Sequence, residues 1–287
     1  MSVEVRLAKT AGFCFGVKRA VDTVYDEVKN GGTIYTYGPI IHNAHVVSDL
    51  EEKGVTVIED IEDVKNLTEG TIVIRSHGVS RQVEETLRST GLKIVDATCP
   101  FVKKIHRIVE KDSADGRKII VIGSKNHPEV FAITGWCHGD NEATVIENVS
   151  EALDFEVDLD SKITIVSQTT FQLAKFQELV EIFKKKGYDI NVVNTICNAT
   201  ADRQQEAKEI AKTVDAMIVI GDSKSSNTQK LYEICSRECK ATQYVQTKDD
   251  LDFSSMDSVP CVVGITAGAS TPNKIIEEVQ NYVRINF

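Results

Sequence analysis

Short runs of β-branched and aliphatic residues alternate along the whole chain with longer stretches whose apolar positions recur every three or four residues. The runs 71–75, 93–96, 118–122, 162–166, 190–194, 216–220 and 261–265 are apolar on both faces. That is the composition of parallel strands covered by helices. Helical spacing predicts helices over 16–29, 80–89, 102–111, 172–186, 201–212, 228–237 and 273–284. The five prolines are scattered, and no Pro-, Gly- or Ser-rich linker interrupts the alternation. The fold class expected is α/β with mainly parallel sheets, in domains that abut closely.

A weak internal repeat overlies this pattern. Cys14, Cys99 and Cys197 are separated by 85 and 98 residues, about one third of the 287-residue chain. Each follows a strand-like run and opens a helix, in TAGFCFGVKRAV, VDATCPFVKKIH and VNTICNATADRQ. The runs VIGSKNH (121–127) and VIGDSKSSN (219–227) also resemble each other. The expected division is three similar α/β modules, residues 1–97, 98–194 and 195–287.

Composition narrows the function. With 33 basic and 43 acidic side chains the formal charge is −10. A protein that grips nucleic acid or an anionic membrane needs a basic face, so neither role is expected. No apolar signal core opens the chain and no apolar run approaches the ~18 residues of a membrane helix. The expected compartment is the cytoplasm, where the seven cysteines stay reduced. Free cysteines are either small buried hydrophobes or reactive thiolates. The shared position of Cys14, Cys99 and Cys197 favours a shared role, since a helix N-terminus suits a thiolate. Three ligands do not close a structural zinc site. Three thiolates on a four-iron cluster would leave one iron open, able to act as a Lewis acid as well as an electron conduit. Cys137, Cys235, Cys239 and Cys261 are assigned to packing or surface.

The polar loops at strand ends offer further chemistry. Neither a P-loop nor a G-x-G-x-x-G fingerprint is found. Ser225-Ser226-Asn227, the Gly268–Thr271 run and Thr169-Thr170 are either ordinary helix caps or a phosphate cradle of hydroxyls and backbone N–H groups. His42, His77 and His127 all fall in such loops. Glu129 follows His127-Pro128 and is either a first-turn acid complementing the helix dipole or a proton donor.

Taken in order, these motifs resemble the LytB (IspH) family of diphosphate reductases. The resemblance runs over nearly the whole chain: GFCFGVKRAV, GPIIHN, SHGVS, DATCPFVKKIH, HPEV, SQTT, ICNATADRQ, SSN and TAGAST. One departure is local. After HPEV the family often has Gly-Thr, whereas Ala132-Ile133-Thr134-Gly135 stands here. The resemblance implies a trefoil of three α/β modules around a [4Fe-4S] cluster with three cysteine ligands, Cys14, Cys99 and Cys197, and one open iron. It implies reductive dehydroxylation of 4-hydroxy-3-methylbut-2-enyl diphosphate to isopentenyl and dimethylallyl diphosphate, the last step of the non-mevalonate (MEP) pathway. His42, His77, His127, Thr169, Ser225, Ser226, Asn227 and Ser270 match positions around the substrate, and Glu129 matches the proton-supplying acid. Thr170 is the alternative to Thr169. Ferredoxin or flavodoxin is the implied electron donor. Competing readings are a ligand-gated iron–sulfur sensor and a cluster-free phosphate-ester hydrolase.

Overall fold

The computed structural model describes residues 3–139, 141–252 and 260–286. The chain opens with β1 (Glu4–Leu7), α1 (Phe15–Asn30), β2 (Ile34–Tyr37), α2 (Ala44–Glu52), β3 (Val55–Ile58), α3 (Ile61–Val64), β4 (Thr71–Ile74), α4 (Arg81–Ser89) and β5 (Lys93–Asp96). It continues through α5 (Pro100–Ala114), β6 (Lys118–Ile122), α6 (Pro128–Thr134), β7 (Thr144–Ile146), α7 (Val149–Asp154), β8 (Lys162–Ser167), α8 (Leu173–Lys185) and β9 (Asp189–Val192). The last stretch holds α9 (Asn198–Ala211), β10 (Ala216–Ile220), α10 (Ser226–Glu238), β11 (Thr242–Val245), β12 (Val262–Ala267) and α11 (Asn273–Asn286).

The strands form three four-stranded sheets, and every strand pairing among the described residues is parallel. The orders are β3-β2-β4-β5, β7-β6-β8-β9 and β11-β10-β12-β1. Numbering strands within each sheet by chain order, the first two have the plan second–first–third–fourth. The third sheet has the same plan, with the N-terminal strand β1 in the fourth place. The α/β expectation and its parallel sheets hold.

The inner strands are the buried ones, as helices on both faces require. Every residue of β10 and β4 is buried. Alternate residues of the middle sheet face different helices. Ile120, Ile122, Ile163 and Ile165 pack on α7 and α8, while Ile119, Val121 and Val166 pack on α5 and α6. Contacts divide the chain into two compact units. One holds residues 1–18, 42–46 and 198–287; the other holds 19–41 and 47–197. No helix of the described residues is long and apolar enough to cross a membrane.

Candidate active site

In open parallel sheets, ligand-binding loops gather where consecutive strands turn to opposite sides, between the first and third strands in this plan. Most of the singled-out residues follow those two strands. After the first strand of each sheet comes a glycine whose N–H donates to the end of the second strand: Gly38 to Ile58, Gly123 to Ile146 and Gly221 to Val245, at 2.7–3.1 Å. These loops run on to His42, to His127 and Glu129, and to Ser225–Asn227. The loops after the third strands carry His77, Thr169 and Ser270.

The three repeat cysteines follow the fourth strand of each sheet. Each stands immediately before a helix: Cys14 before α1, Cys99 before α5 and Cys197 before α9. Each also donates its backbone N–H to the second residue past the third strand. Cys14 donates to Ala269 (3.3 Å), Cys99 to Ser76 (2.9 Å) and Cys197 to Thr169 (3.2 Å). One small hydrogen-bonding device is therefore used three times.

In the unit that contains residues 198–287, Ser225 caps α10 and its Oγ lies 3.3 Å from the Ser270 Oγ. Asn227 accepts the Ala269 N–H on Oδ1 at 3.0 Å, which ties α10 to the loop that receives Cys14. Its amide Nδ2 is buried and has no hydrogen-bond partner. An orphaned buried donor at the N-terminal end of a 13-residue helix is a feature an anionic ligand would satisfy. Gly268 is required here by close approach, because a Cβ would lie 2.0 Å from the Thr228 Oγ1. The loop before Cys14 is held from α9. Buried Arg203 donates to the carbonyls of Thr10 (2.8 Å) and Gly12 (2.7 Å), while Glu206 accepts the N–H groups of Lys9 and Thr10. His42 falls in this unit as well, directly ahead of α2.

The other unit contains Cys99, Cys197, His77, His127, Glu129 and Thr169. His127 caps α6 by accepting the Glu129 N–H on Nδ1 (3.1 Å), so in the neutral ring the proton sits on Nε2. Its ring meets that of His77 edge-on at 5.5 Å. Glu129 is only 3% exposed. Its carboxylate accepts both the N–H (2.6 Å) and the hydroxyl (2.7 Å) of Thr169. Burial pushes its pKa up from 4.5 to about 7, and the two Thr169 bonds only partly oppose the rise. The Thr170 hydroxyl is tied instead to Gln168 Nε2 at 2.9 Å. Ahead of Cys99, Arg19 donates to the carbonyls of Asp96, Ala97 and Thr98 at 3.1–3.4 Å.

The remaining cysteines lie in packing or at the surface, and the helical histidine packs. Cys235 is fully buried and its thiol is pushed up to about 12; Cys239 shares its apolar cluster. Burial also raises the Cys137 thiol, to about 11. Cys261 is exposed. His106 is buried, stacks on Trp136 at 5.1 Å, and is held down to about 4 by burial. In the Ala132–Gly135 departure, Ala132 and Ile133 are buried, and Gly135 lets α6 end where a Cβ would meet that of Ser80 at 2.3 Å.

Arg19, Arg203, Glu206 and Gln168 are site-supporting residues that the sequence motifs did not single out. Arg19, Gln168 and Arg203 do stand inside the motifs GFCFGVKRAV, SQTT and ICNATADRQ, which is the signal available; Glu206 lies outside all of them.

Such a molecule is an α/β ligand-binding protein with the same site-forming device built on each of three parallel sheets. The comparisons with known proteins narrow the class. The chain belongs to the LytB protein family, whose pattern matches residues 5–284. It is 45% identical over 279 residues to the 4-hydroxy-3-methylbut-2-enyl diphosphate reductase of Caldanaerobacter subterraneus subsp. tengcongensis, covering 96% of this chain and 95% of that one. The enzyme of the same name from Clostridioides difficile is 45% identical over 282 residues, 98% of this chain and 99% of that one. Among solved structures, the E-1-hydroxy-2-methyl-but-2-enyl-4-diphosphate reductase of Plasmodium falciparum superposes with a TM-score of 0.91 at 32% identity, over 99% of this chain and 88% of that one. A second, described as the terminal enzyme of the non-mevalonate pathway, gives 0.68 at 40% identity over 99% of both chains.

Proposed function

We propose that this protein is a 4-hydroxy-3-methylbut-2-enyl diphosphate reductase. It takes two electrons and two protons, releases the allylic hydroxyl as water, and yields isopentenyl and dimethylallyl diphosphate. The observation that carries the reading is Glu129. It is a buried carboxyl group titrating near neutrality, bonded to the hydroxyl of Thr169, whose carbonyl receives the Cys197 N–H. A reaction that pairs electrons with protons needs such an acid close to its redox centre.

The residues present fit an iron–sulfur cluster in kind. Cys14, Cys99 and Cys197 occupy one equivalent position, each at a helix N-terminus, and none of the seven cysteines is disulfide-bonded. We assign these three as the protein ligands of a [4Fe-4S] cluster, which leaves one iron without a protein ligand. Bound there, the cluster supplies single electrons and Lewis acidity at the C–O bond that breaks.

The chain does the rest. Ser225, Ser226, Asn227 and Ser270 bind diphosphate oxygens through hydroxyls, the orphaned Asn227 amide and the N-terminal end of α10. His127 offers its Nε2–H as a donor, and His42 and His77 add imidazoles that pair with phosphate. Remote binding of the diphosphate orients the reacting carbon. Glu129, raised to about 7 by burial, is poised to hold a proton near neutral pH and to pass it through the Thr169 Oγ1. Substrate is a diphosphate, and the electrons come from a separate carrier protein, ferredoxin or flavodoxin.

The test is anaerobic reconstitution, iron and sulfide analysis, and turnover of the allylic diphosphate with a reduced dye. A brown protein with about four irons per chain that consumes the substrate is expected. A protein that stays colourless and iron-free yet releases phosphate would replace the reductase reading with the hydrolase.

A further inference from the structure

We infer that the outward face of α5 is the docking surface for an acidic one-electron carrier protein. The inference rests on the reductase reading and locates the partner that reading requires. At 100° per residue, α5 divides into two faces. Val102, Ile105, His106, Val109 and Ser113 point inward and are buried. On the opposite side Lys104, Arg107 and Lys111 fall within about 60° of one another, and all three are exposed.

These three cations differ from their neighbours. The other charges on α5 are engaged: Lys103 pairs with Asp96 at 2.5 Å, Glu110 with Arg81 at 2.7 Å, and Asp112 accepts the Thr164 hydroxyl. Lys104, Arg107 and Lys111 take part in none of the ion pairs found among the described residues. Arg107 also lines a cavity of about 280 Å³ between α4 and α5, in which Arg88 and Lys103 are neutralised by Glu84 and Asp96 and Arg107 is left without an ion-pair partner among the described residues. Beside the stripe Phe101 is 47% exposed, an apolar contact of the kind found at the centre of an interface.

Position supplies the other half of the inference. The helix that carries the stripe begins directly after Cys99. At 1.5 Å per residue, Lys104 and Arg107 stand about 8 and about 12 Å along its axis from that cysteine. A carrier seated on the stripe is thus brought beside one cluster ligand. Each encounter moves one electron, oxidising the reduced carrier and reducing the cluster, so two encounters serve one turnover. Opposite charge steers the encounter and makes it sensitive to salt.

The test uses the holoprotein and an acidic bacterial ferredoxin, with binding measured calorimetrically without substrate. Charge reversal in Lys104→Glu/Arg107→Glu is expected to raise Kd about tenfold or more at low ionic strength and to flatten the salt dependence. Turnover with dithionite-reduced methyl viologen stays within about twofold, because a small dye needs no docking surface. The control is Lys184→Glu/Lys185→Glu on α8, which covers the other face of the same sheet; it makes the same change in net charge and leaves Kd unchanged. An unaltered Kd in the α5 variant, an equal loss in the α8 variant, or a parallel fall in dye-driven turnover would each overturn the inference. Failure of the wild-type holoprotein to turn over with dye would instead sink the reductase reading, while the binding measurement still decides where ferredoxin sits.

Discussion

Replacing Glu129 with Gln removes one titrating proton and keeps the shape of the side chain. In the folded protein the Glu129 pKa is raised from 4.5 to about 7. The folded state therefore holds a proton that the unfolded chain has released. The sign follows: the protonated carboxyl contributes its full stability below pH 4.5, and the contribution is lost as pH rises through about 7. A rise of that size is worth on the order of 3 kcal/mol, most of it falling between pH 5 and pH 8. Wild type should lose about that much stability relative to Glu129→Gln across the range, with most of the loss between pH 5 and 7. Urea unfolding followed by fluorescence of Trp136, the one tryptophan, reads the difference. Its indole N–H donates to the Val79 carbonyl at 2.9 Å, so it reports the unit that holds Glu129. The same variant should bind the diphosphate nearly as wild type while kcat falls about 10²- to 10⁴-fold. Parallel stability curves for the two proteins from pH 5 to pH 8 would refute the buried neutral acid, and the proton-donor role with it.

Other perturbations separate the roles of neighbouring groups. Cys99→Ser should lose iron absorbance after reconstitution while Cys239→Ser keeps it, because only the former thiol heads a helix outside the apolar clusters; equal loss would break the ligand assignment. Thr169→Val removes a hydroxyl that lowers the Glu129 pKa, so residual activity should be weak and its alkaline limb should move to higher pH, as a kcat–pH profile would show. Arg203→Met would strand the buried carbonyl of Gly12, at about 1–3 kcal/mol, and release the part-buried carbonyl of Thr10; iron content after dialysis should fall, with partial recovery in Arg203→Lys.

The strands legible in the sequence were those with an unbroken apolar run, whether inner like β6 and β10 or at an edge like β5. Residues 93–96, 118–122 and 216–220 match β5, β6 and β10 in both bounds. The strands that escaped notice lie mostly at sheet edges. β1, β3, β7 and β11 are edge strands in which polar residues interrupt the apolar ones or the run is only three residues long, so no unbroken apolar run marks them. β2 is an inner strand, but its Tyr and Thr residues dilute the signal. Helices α5 and α9 begin two and three residues earlier than their apolar periodicity suggested, since each starts on the residue after its cysteine. The motif loops could be read as polar strand ends, yet the bonds that organise them could not. Nothing local in the sequence announces that Thr169 rather than Thr170 reaches Glu129, or that Arg203 holds a loop 191–193 residues away.

The pairing of β1 with β12 has a bearing on biosynthesis. Glu4–Leu7 lies in register with Val262–Ile265, so the earliest-made of the described strands needs the latest-made one. Until then the third sheet lacks its fourth strand, and the segment that leads to Cys14 has no Ala269 carbonyl to receive its N–H. The two sheets formed by residues 34–96 and 118–192 face no such delay, because all their partners emerge earlier. Closing a loop of this length costs little more entropy than closing a medium one, but it slows the search and leaves an edge exposed meanwhile. Cys14 is the first of the three repeat cysteines to be made and the last to gain its folded setting.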